Sequence, residues 1–349
     1  MLGVRRSMCK PLVVAVLSAV ISLLGLGSVP AAGSVGLKPV ITGLLDRKGA
    51  PPAALVPAVD GFVVRVRWAD LQPTASGPVA DHNAIDAAIA KARALAPGAD
   101  YHLKLRVLAG TEAPTWAKNL DGGPVSYFKG RKVLTYGRFW TSSFGAAYAD
   151  LQAKLAARYD TVPEIAETVI SRCTILDAEP FLRAVRTDRR TLSALVAAGF
   201  TASADQVCHT EEIDAHGVWA QTRSGLTLDP YDRIGADGTA SVDESFTESM
   251  MVYCRNTLGA RCVLENNGIS SPLLPDPYPT MYAAIRAMGP PFAFQTASPK
   301  AIGDWYATLR WAADQGANHV ELNIDYPTYD PAQLASVRSQ LRANATQVG

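Results

Sequence analysis

The chain has 349 residues, 48% of them hydrophobic, 19% charged and 8% aromatic, enough apolar material to bury a full core as one large domain or two ordinary ones. Disorder and fibrous repeats are excluded by that balance. Thirty-three Lys and Arg stand against 32 Asp and Glu, a formal charge of +1 without a long basic run, so the electrostatic footprint of a nucleic-acid binder is missing.

Residues 1–33 read as a basic start (Arg5, Arg6, Lys10), an apolar run from Leu12 to Leu26 and a small-residue stretch, Ser28 to Gly33. That order predicts a secretory signal peptide cleaved near Ala31. The apolar run of 15 residues is shorter than the ~20 that span a bilayer as a helix, so no membrane attachment is expected after cleavage. The segment carries three cations and no acid, which leaves residues 34–349 at −2. Cys9 departs with it, and Cys173, Cys208, Cys254 and Cys262 remain. An even set in an oxidising compartment predicts two disulfides. Three pairings are open; the short interval between Cys254 and Cys262 favours that pair together with Cys173–Cys208.

From residue 38 onward, short apolar runs alternate with Ala- and Leu-rich helical stretches. The expected strands are Pro39–Leu45, Phe62–Trp68, His102–Leu108, Val169–Leu176, Ser224–Leu228, Cys262–Glu265, Phe292–Gln295 and Val320–Ile324. The expected helices are Ile85–Leu95, Phe144–Arg158, Arg190–Ala198, Glu211–Ala220, Ser245–Leu258, Tyr278–Met288 and Ala301–Gln315. Eight strand–helix units over residues 34–349 predict an α/β protein with a single (β/α)8 TIM barrel.

Polar and apolar residues alternate strictly in His102-Leu103-Lys104-Leu105-Arg106-Val107 and in Val320-Glu321-Leu322-Asn323-Ile324-Asp325. An antiparallel sheet with one wet face gives the same pattern. In a barrel sheathed by helices, however, the polar set must point inward, and buried charges require partners. The predicted strand ends hold Asp177 and Glu179 after strand four, Glu265 after strand six, and Glu321 with Asp325 on strand eight. Arg65, Lys104 and Arg106 oppose them. Carboxylates gathered at the carboxyl ends of barrel strands suit glycosidic hydrolysis, in which one acid protonates the leaving oxygen while the other attacks or activates water.

The segments FVVRVRWADLQP (Phe62 to Pro73), LKLRVLAGTEAPTWA (Leu103 to Ala117), Phe139-Trp140-Thr141 leading into a helix that ends LAARYD, and TILDAEP (Thr174 to Pro180) together resemble secreted (β/α)8 glycoside hydrolases of the large clan with a catalytic glutamate after strand four. That clan ends strand four with Asn-Glu-Pro; here Ala178-Glu179-Pro180 stands there, so the resemblance implies Glu179 as general acid/base. The clan's nucleophile ends strand seven, a place held by Gln295, and a glutamine cannot attack an anomeric carbon as a carboxylate does. Glu265 is the first candidate for the second carboxylate and Glu321 the next. Asp177 either raises the pKa of Glu179 by like-charge repulsion or pairs with Arg65 or Arg106. A barrel that binds carbohydrate or a cell-surface partner without hydrolysing it is the alternative.

Trp68, Trp116 and Trp140 are candidate platforms for a sugar ring; Glu112, Tyr231, Asp232 and Tyr326 are candidate rim contacts, and Trp305 and Trp311 read as packing residues. His82, His102, His209, His216 and His319 lack metal-ligand spacing, and GxSxG, P-loop and post-strand GxGxxG motifs are absent, so neither a metal nor a cofactor is expected. Asn344-Ala345-Thr346 is a glycosylation sequon in a polar tail. The expected partner is a carbohydrate; oligomeric state has no signature in the sequence.

Overall fold

The computed structural model describes residues 36–96, 101–183, 185 and 188–346; the expected leader, residues 1–33, lies outside them. Eight parallel strands close into a barrel: β1 (Gly43–Asp46), β2 (Gly61–Arg67), β3 (His102–Leu108), β4 (Ile165–Val169), β5 (Arg223–Thr227), β6 (Cys262–Ile269), β7 (Phe292–Thr296) and β8 (His319–Leu322), the last pairing back onto β1. The protein is a single (β/α)8 TIM barrel. A 3-10 helix, Ala53–Ala58, follows β1. Helices α1 (Ala84–Leu95) and α2 (Ser142–Tyr159) follow β2 and β3, α3 (Arg189–Ala197) and α4 (Ala202–Ala215) follow β4, and α5 (Glu244–Leu258), α6 (Tyr278–Ala287), α7 (Trp305–Asp314) and α8 (Pro331–Ala345) follow β5 to β8. The side chains of Asn83, Asp243, Asp304 and Asp330 accept first-turn backbone N–H groups and start α1, α5, α7 and α8, each contributing about 1 kcal/mol.

Paired residues of parallel strands share a face. Lys104↔Glu167, Arg65↔Arg106, Glu265↔Ala293 and Gln295↔Glu321 therefore belong to the inward set. Their neighbours Leu103, Leu105, Val107, Leu264, Phe294, Val320 and Leu322 face outward into the main apolar core beneath the helices. The inner apolar cluster is small: Ile41, Leu45 and Ala166. Strict alternation on β3 and β8 thus has the origin expected of a covered barrel.

Four expectations change. Strand four is Ile165–Val169 rather than Val169–Leu176: residues 170–175 are buried as a strand would be, but form loop structure over the barrel mouth. Helix α4 begins at Ala202 rather than Glu211; its buried face carries Asp205, Cys208, His209 and Glu212, so no apolar stripe marks it. The polar tail is helix α8, and the sequon amide is committed, with Asn344 Nδ2 donating to Ala313 O at 2.8 Å and Ala317 O at 3.0 Å. Two hairpins, Val125–Lys129 with Lys132–Tyr136 and Tyr231–Ile234 with Ala240–Asp243, occupy stretches that carried no expected element. Both disulfides form in the favoured pairing, Cys173–Cys208 and Cys254–Cys262.

Candidate active site

The barrel interior holds a closed charge cluster. Lys104 Nζ lies 3.0 Å from Glu167 Oε1, 2.6 Å from Glu265 Oε1 and 2.8 Å from Glu321 Oε1, while Arg106 Nη2 reaches Glu321 Oε1 at 2.6 Å. All five side chains are buried. Burial pushes the Glu265 carboxyl up to about 8, with Glu167 adding repulsion against the pull of Lys104. Burial acts upward on Glu321 as well, but Arg106 and Lys104 outweigh it and bring the group down to about 2. His319, whose Nε2 lies 3.5 Å from Lys104 Nζ, is lowered to about 3 by burial and the nearby ammonium, and stays neutral. The atoms of Glu167, Glu265 and His319 converge as metal ligands would, but Lys104 Nζ takes the cation's position. Cys173, His209 and Glu212 also converge; there the sulfur is spent in a disulfide.

Above this floor, the loop after β4 carries Asp177 and Glu179 over the mouth. Its conformation is fixed from several sides. Glu212 Oε2 accepts from the N–H groups of Arg172 and Cys173, both at 2.9 Å, Thr111 N donates to Ile175 O at 3.0 Å, and the Cys173–Cys208 disulfide ties the loop to α4. The buried Arg183 guanidinium donates to Cys173 O at 3.0 Å and to Pro180 O, and pairs with Asp205 at 2.6 Å. Asp177 sits at φ +56°, a left-handed backbone that aspartate tolerates better than most residues. Its Oδ1 accepts from Arg65 Nη2 at 2.7 Å. Burial first and Asp177 second raise the pKa of Glu179, against Arg106, an Asn267 hydrogen bond and Arg65. Asp177 thus does both things the sequence left open.

A cleft of about 310 Å³ opens here, lined by Arg47, Lys48, Arg65, Arg106, Asp177, Ala178, Glu179, Asn267 and Gln295. Arg106 Nη1 donates to Gln295 Oε1 at 3.0 Å. Of the residues expected to form a site, Arg65, Arg106, Asp177, Glu179 and Gln295 meet at this cleft. Glu265 and Glu321 lie below it. Strand β6 runs to Ile269 rather than stopping at Glu265, so Glu265 is a mid-strand residue whose carboxyl group packs against Gly225, where a Cβ would stand 2.8 Å from it, and Asn267 reaches the rim instead.

The aromatic expectations fare differently. Trp68 is fully buried among Trp116, Phe144 and Tyr148 with Nε1 donating to Gln72 Oε1, which removes it as a platform. Trp116 donates to Gln72 O, and Trp140 packs edge-on against Phe139 and Phe200. Tyr326 is buried with its hydroxyl donating to Asp46 Oδ2 at 2.7 Å, Tyr231 is buried against Asp205, and Asp232 is buried, with Arg183 N donating to it at 3.2 Å. Glu112 is exposed beside Arg67. None of these lines the cleft.

Sequence reasoning missed Glu167, Asp229, Asn267, Arg47 and Lys48. Asp229, just past β5, is buried; burial and then Glu179 push its carboxyl well above the usual carboxylate range. Its Oδ1 accepts from Asn266 Nδ2 at 3.2 Å, whereas Oδ2 has no partner. The Leu-Asp-Pro that ends the β5 segment was the available signal for it.

No family model and no curated protein matches the sequence. Among solved structures, the chain is similar to the catalytic domain of the beta-amylase from Paenibacillus polymyxa (TM-score 0.53, 9% identity, 89% of this chain and 100% of that one). It is also similar to a beta-galactosidase from the Antarctic haloarchaeon Halorubrum lacusprofundi (TM-score 0.50, 12% identity, 87% of this chain and 58% of that one) and to morphinone reductase (TM-score 0.47, 16% identity, 89% and 93%). At such identities the likeness is one of fold. The resemblance to glycoside hydrolase barrels holds at that level.

Proposed function

We propose that the protein is a secreted glycoside hydrolase acting on a poly- or oligosaccharide through two carboxyl groups, with Glu179 as general acid and Asp177 as general base. The observation that carries this reading is the placement of two carboxyl groups in one open cleft at the carboxyl ends of the strands: Glu179, whose burial favours its protonated form, and Asp177, ion-paired with Arg65. A carboxyl group favoured toward its protonated form suits the general-acid role. Glu179 gives its proton to the departing glycosidic oxygen as the anomeric C–O bond breaks; water adds to the anomeric carbon and its proton passes to Asp177. Glu265 is replaced in this role because its buried carboxyl group is engaged with Lys104 at 2.6 Å, below the cleft. Secretion is supported by the order of residues 1–33 and by two disulfides; among the described residues no helix is long and apolar enough to cross a membrane.

A second reading, a barrel that binds carbohydrate without cleaving it, is favoured by Gln295, which stands on β7 hydrogen-bonded to Arg106 and offers no carboxylate. Reducing-end release from a panel of oligosaccharides separates the two. Hydrolysis by the wild type that is lost in both Glu179→Gln and Asp177→Asn with folding retained supports the enzyme. Saccharide binding with no release, unchanged in either variant, overturns it.

A further inference from the structure

The cleft is unusually rich in positive charge for one that would receive a neutral sugar. Four cations line it, Arg47, Lys48, Arg65 and Arg106, against two acids, Asp177 and Glu179. Arg65 is taken by Asp177, and Arg106 by Glu321 from below and Gln295 from the side. Arg106 is nevertheless incompletely satisfied, since its buried Nε has no partner.

Arg47 and Lys48 are different. Both follow β1, and among the described residues neither has an ion-pair partner. Arg47 Nη1 donates to Thr296 O at 2.9 Å, which draws the guanidinium from the β1 end toward β7 across the mouth and leaves the rest of its donor fork uncommitted. Partial burial disfavours its charge; Glu321 favours it, Arg106 and Arg65 repel it, and Glu179 adds a smaller attraction. Counting Asp177, Glu179 and the Glu321 carboxyl group below, four cations face three acids at the cleft. A bound neutral sugar would strip water from these cations and return hydroxyl hydrogen bonds but no opposite charge. An anionic group offering two oxygens would complete both the fork and the charge balance.

We infer that the cleft selects saccharides bearing an acidic group, a uronate carboxylate or a sulfate ester, and that Arg47 and Lys48 receive it. The inference rests on the carbohydrate reading above and specifies its substrate class.

Calorimetric titration of the full chain with an oligouronide, the same oligosaccharide after carboxyl reduction, and a sulfated neutral oligosaccharide tests it. The acidic ligand should bind about tenfold or more tightly than its reduced counterpart, a difference of about 1.4 kcal/mol for each factor of ten. The preference should weaken steeply as salt rises from about 50 to about 500 mM. Arg47→Gln should abolish it, bringing the affinities for the acidic and the reduced ligand to within about twofold of each other. Should Arg47→Gln fail to fold, Lys48→Gln, at an exposed position, should reduce the preference severalfold. Tighter binding of the sulfated ligand than of the uronide assigns the acidic group to sulfate, and the reverse assigns it to carboxylate. Equal binding of acidic and reduced oligosaccharides overturns the selectivity while leaving the carbohydrate reading intact. Failure of every saccharide to bind overturns both.

Discussion

Lys104 in the barrel interior and Arg65 at its mouth are both cations on neighbouring strands, each facing acids, yet their surroundings give them opposite consequences. Lys104 sits among Glu167, Glu265 and Glu321 with its side chain 2% exposed, whereas Arg65 and Asp177 are 44% and 45% exposed. In the interior, each charge is buried against another. At the mouth, Arg65 and Asp177 also pair, at 2.7 Å, but on a braced loop and about half exposed, where a ligand can reach them. The floor is thus placed to stabilise the barrel, and the rim is where the proposed chemistry falls.

Breaking the rim gives the largest expected effect. Glu179→Gln keeps shape and removes the proton that leaves with the glycosidic oxygen, so steady-state turnover should fall by about 10²- to 10⁴-fold with the thermal midpoint within a degree or two of wild type. Breaking the floor gives the reciprocal pattern. Lys104→Met strips Glu167 and Glu265 of their cation and leaves Glu321 only Arg106, and should cost about 3–5 kcal/mol, measured by urea unfolding. If the Lys104 variant were as stable as wild type, the interior cluster would not be the stabilising unit argued for here. Between the two lies the brace: removing the Cys173–Cys208 crosslink with paired Cys→Ala changes, which closes 35 residues of chain, should cost about 2–4 kcal/mol. It should also slow turnover, because the loop carrying Asp177 and Glu179 loses its tie to α4.

The barrel and its inward charges were legible because periodicity records burial: on HLKLRV and HVEL one face meets helices and the other a polar interior. The rim was legible less well, for a physical reason. Ile170, Thr174 and Ile175 are β-branched and residues 170–175 are buried, as in a strand, although they form a capping loop, and this displaces the expected strand four from the segment that carries Glu167. Glu265 was assigned to a strand end because Asn266-Asn267-Gly268 reads as a turn, whereas β6 continues through it. Arg47, Lys48 and Asp229 lie in no periodic segment. Only closure of the barrel brings them to Glu179, and closure is not written in local pattern.

Acid should separate floor from rim by a smaller margin. His216 is buried between Tyr148 Oη and Ser224 Oγ, each 3.0 Å away, and burial lowers it to about 3. A base with a depressed folded pKa is neutral in the native state while the unfolded chain takes up a proton below about 6.5. Stability associated with it is present above that pH and is lost as pH falls toward 3, at about 1 kcal/mol per pH unit. In His216→Gln the fall in unfolding free energy between about pH 6.5 and about pH 4.5 should be shallower than in wild type by that amount; parallel curves would mean the imidazole is not neutral in the folded protein.

The smallest effect on stability, and the sharpest on mechanism, is expected from Arg65→Gln. The pair it breaks is about half exposed, so unfolding free energy should change by less than about 1 kcal/mol. Its influence on Glu179 is of the opposite kind. Arg65 lowers the pKa of Glu179, as Arg106 does, against the upward effects of burial and Asp177; without it the carboxyl group holds its proton to higher pH. Since the acid must be protonated to act, the alkaline limb of the kcat/KM profile should move upward. A profile that shrinks in height without that shift would make Arg65 a substrate contact rather than a group that tunes Glu179.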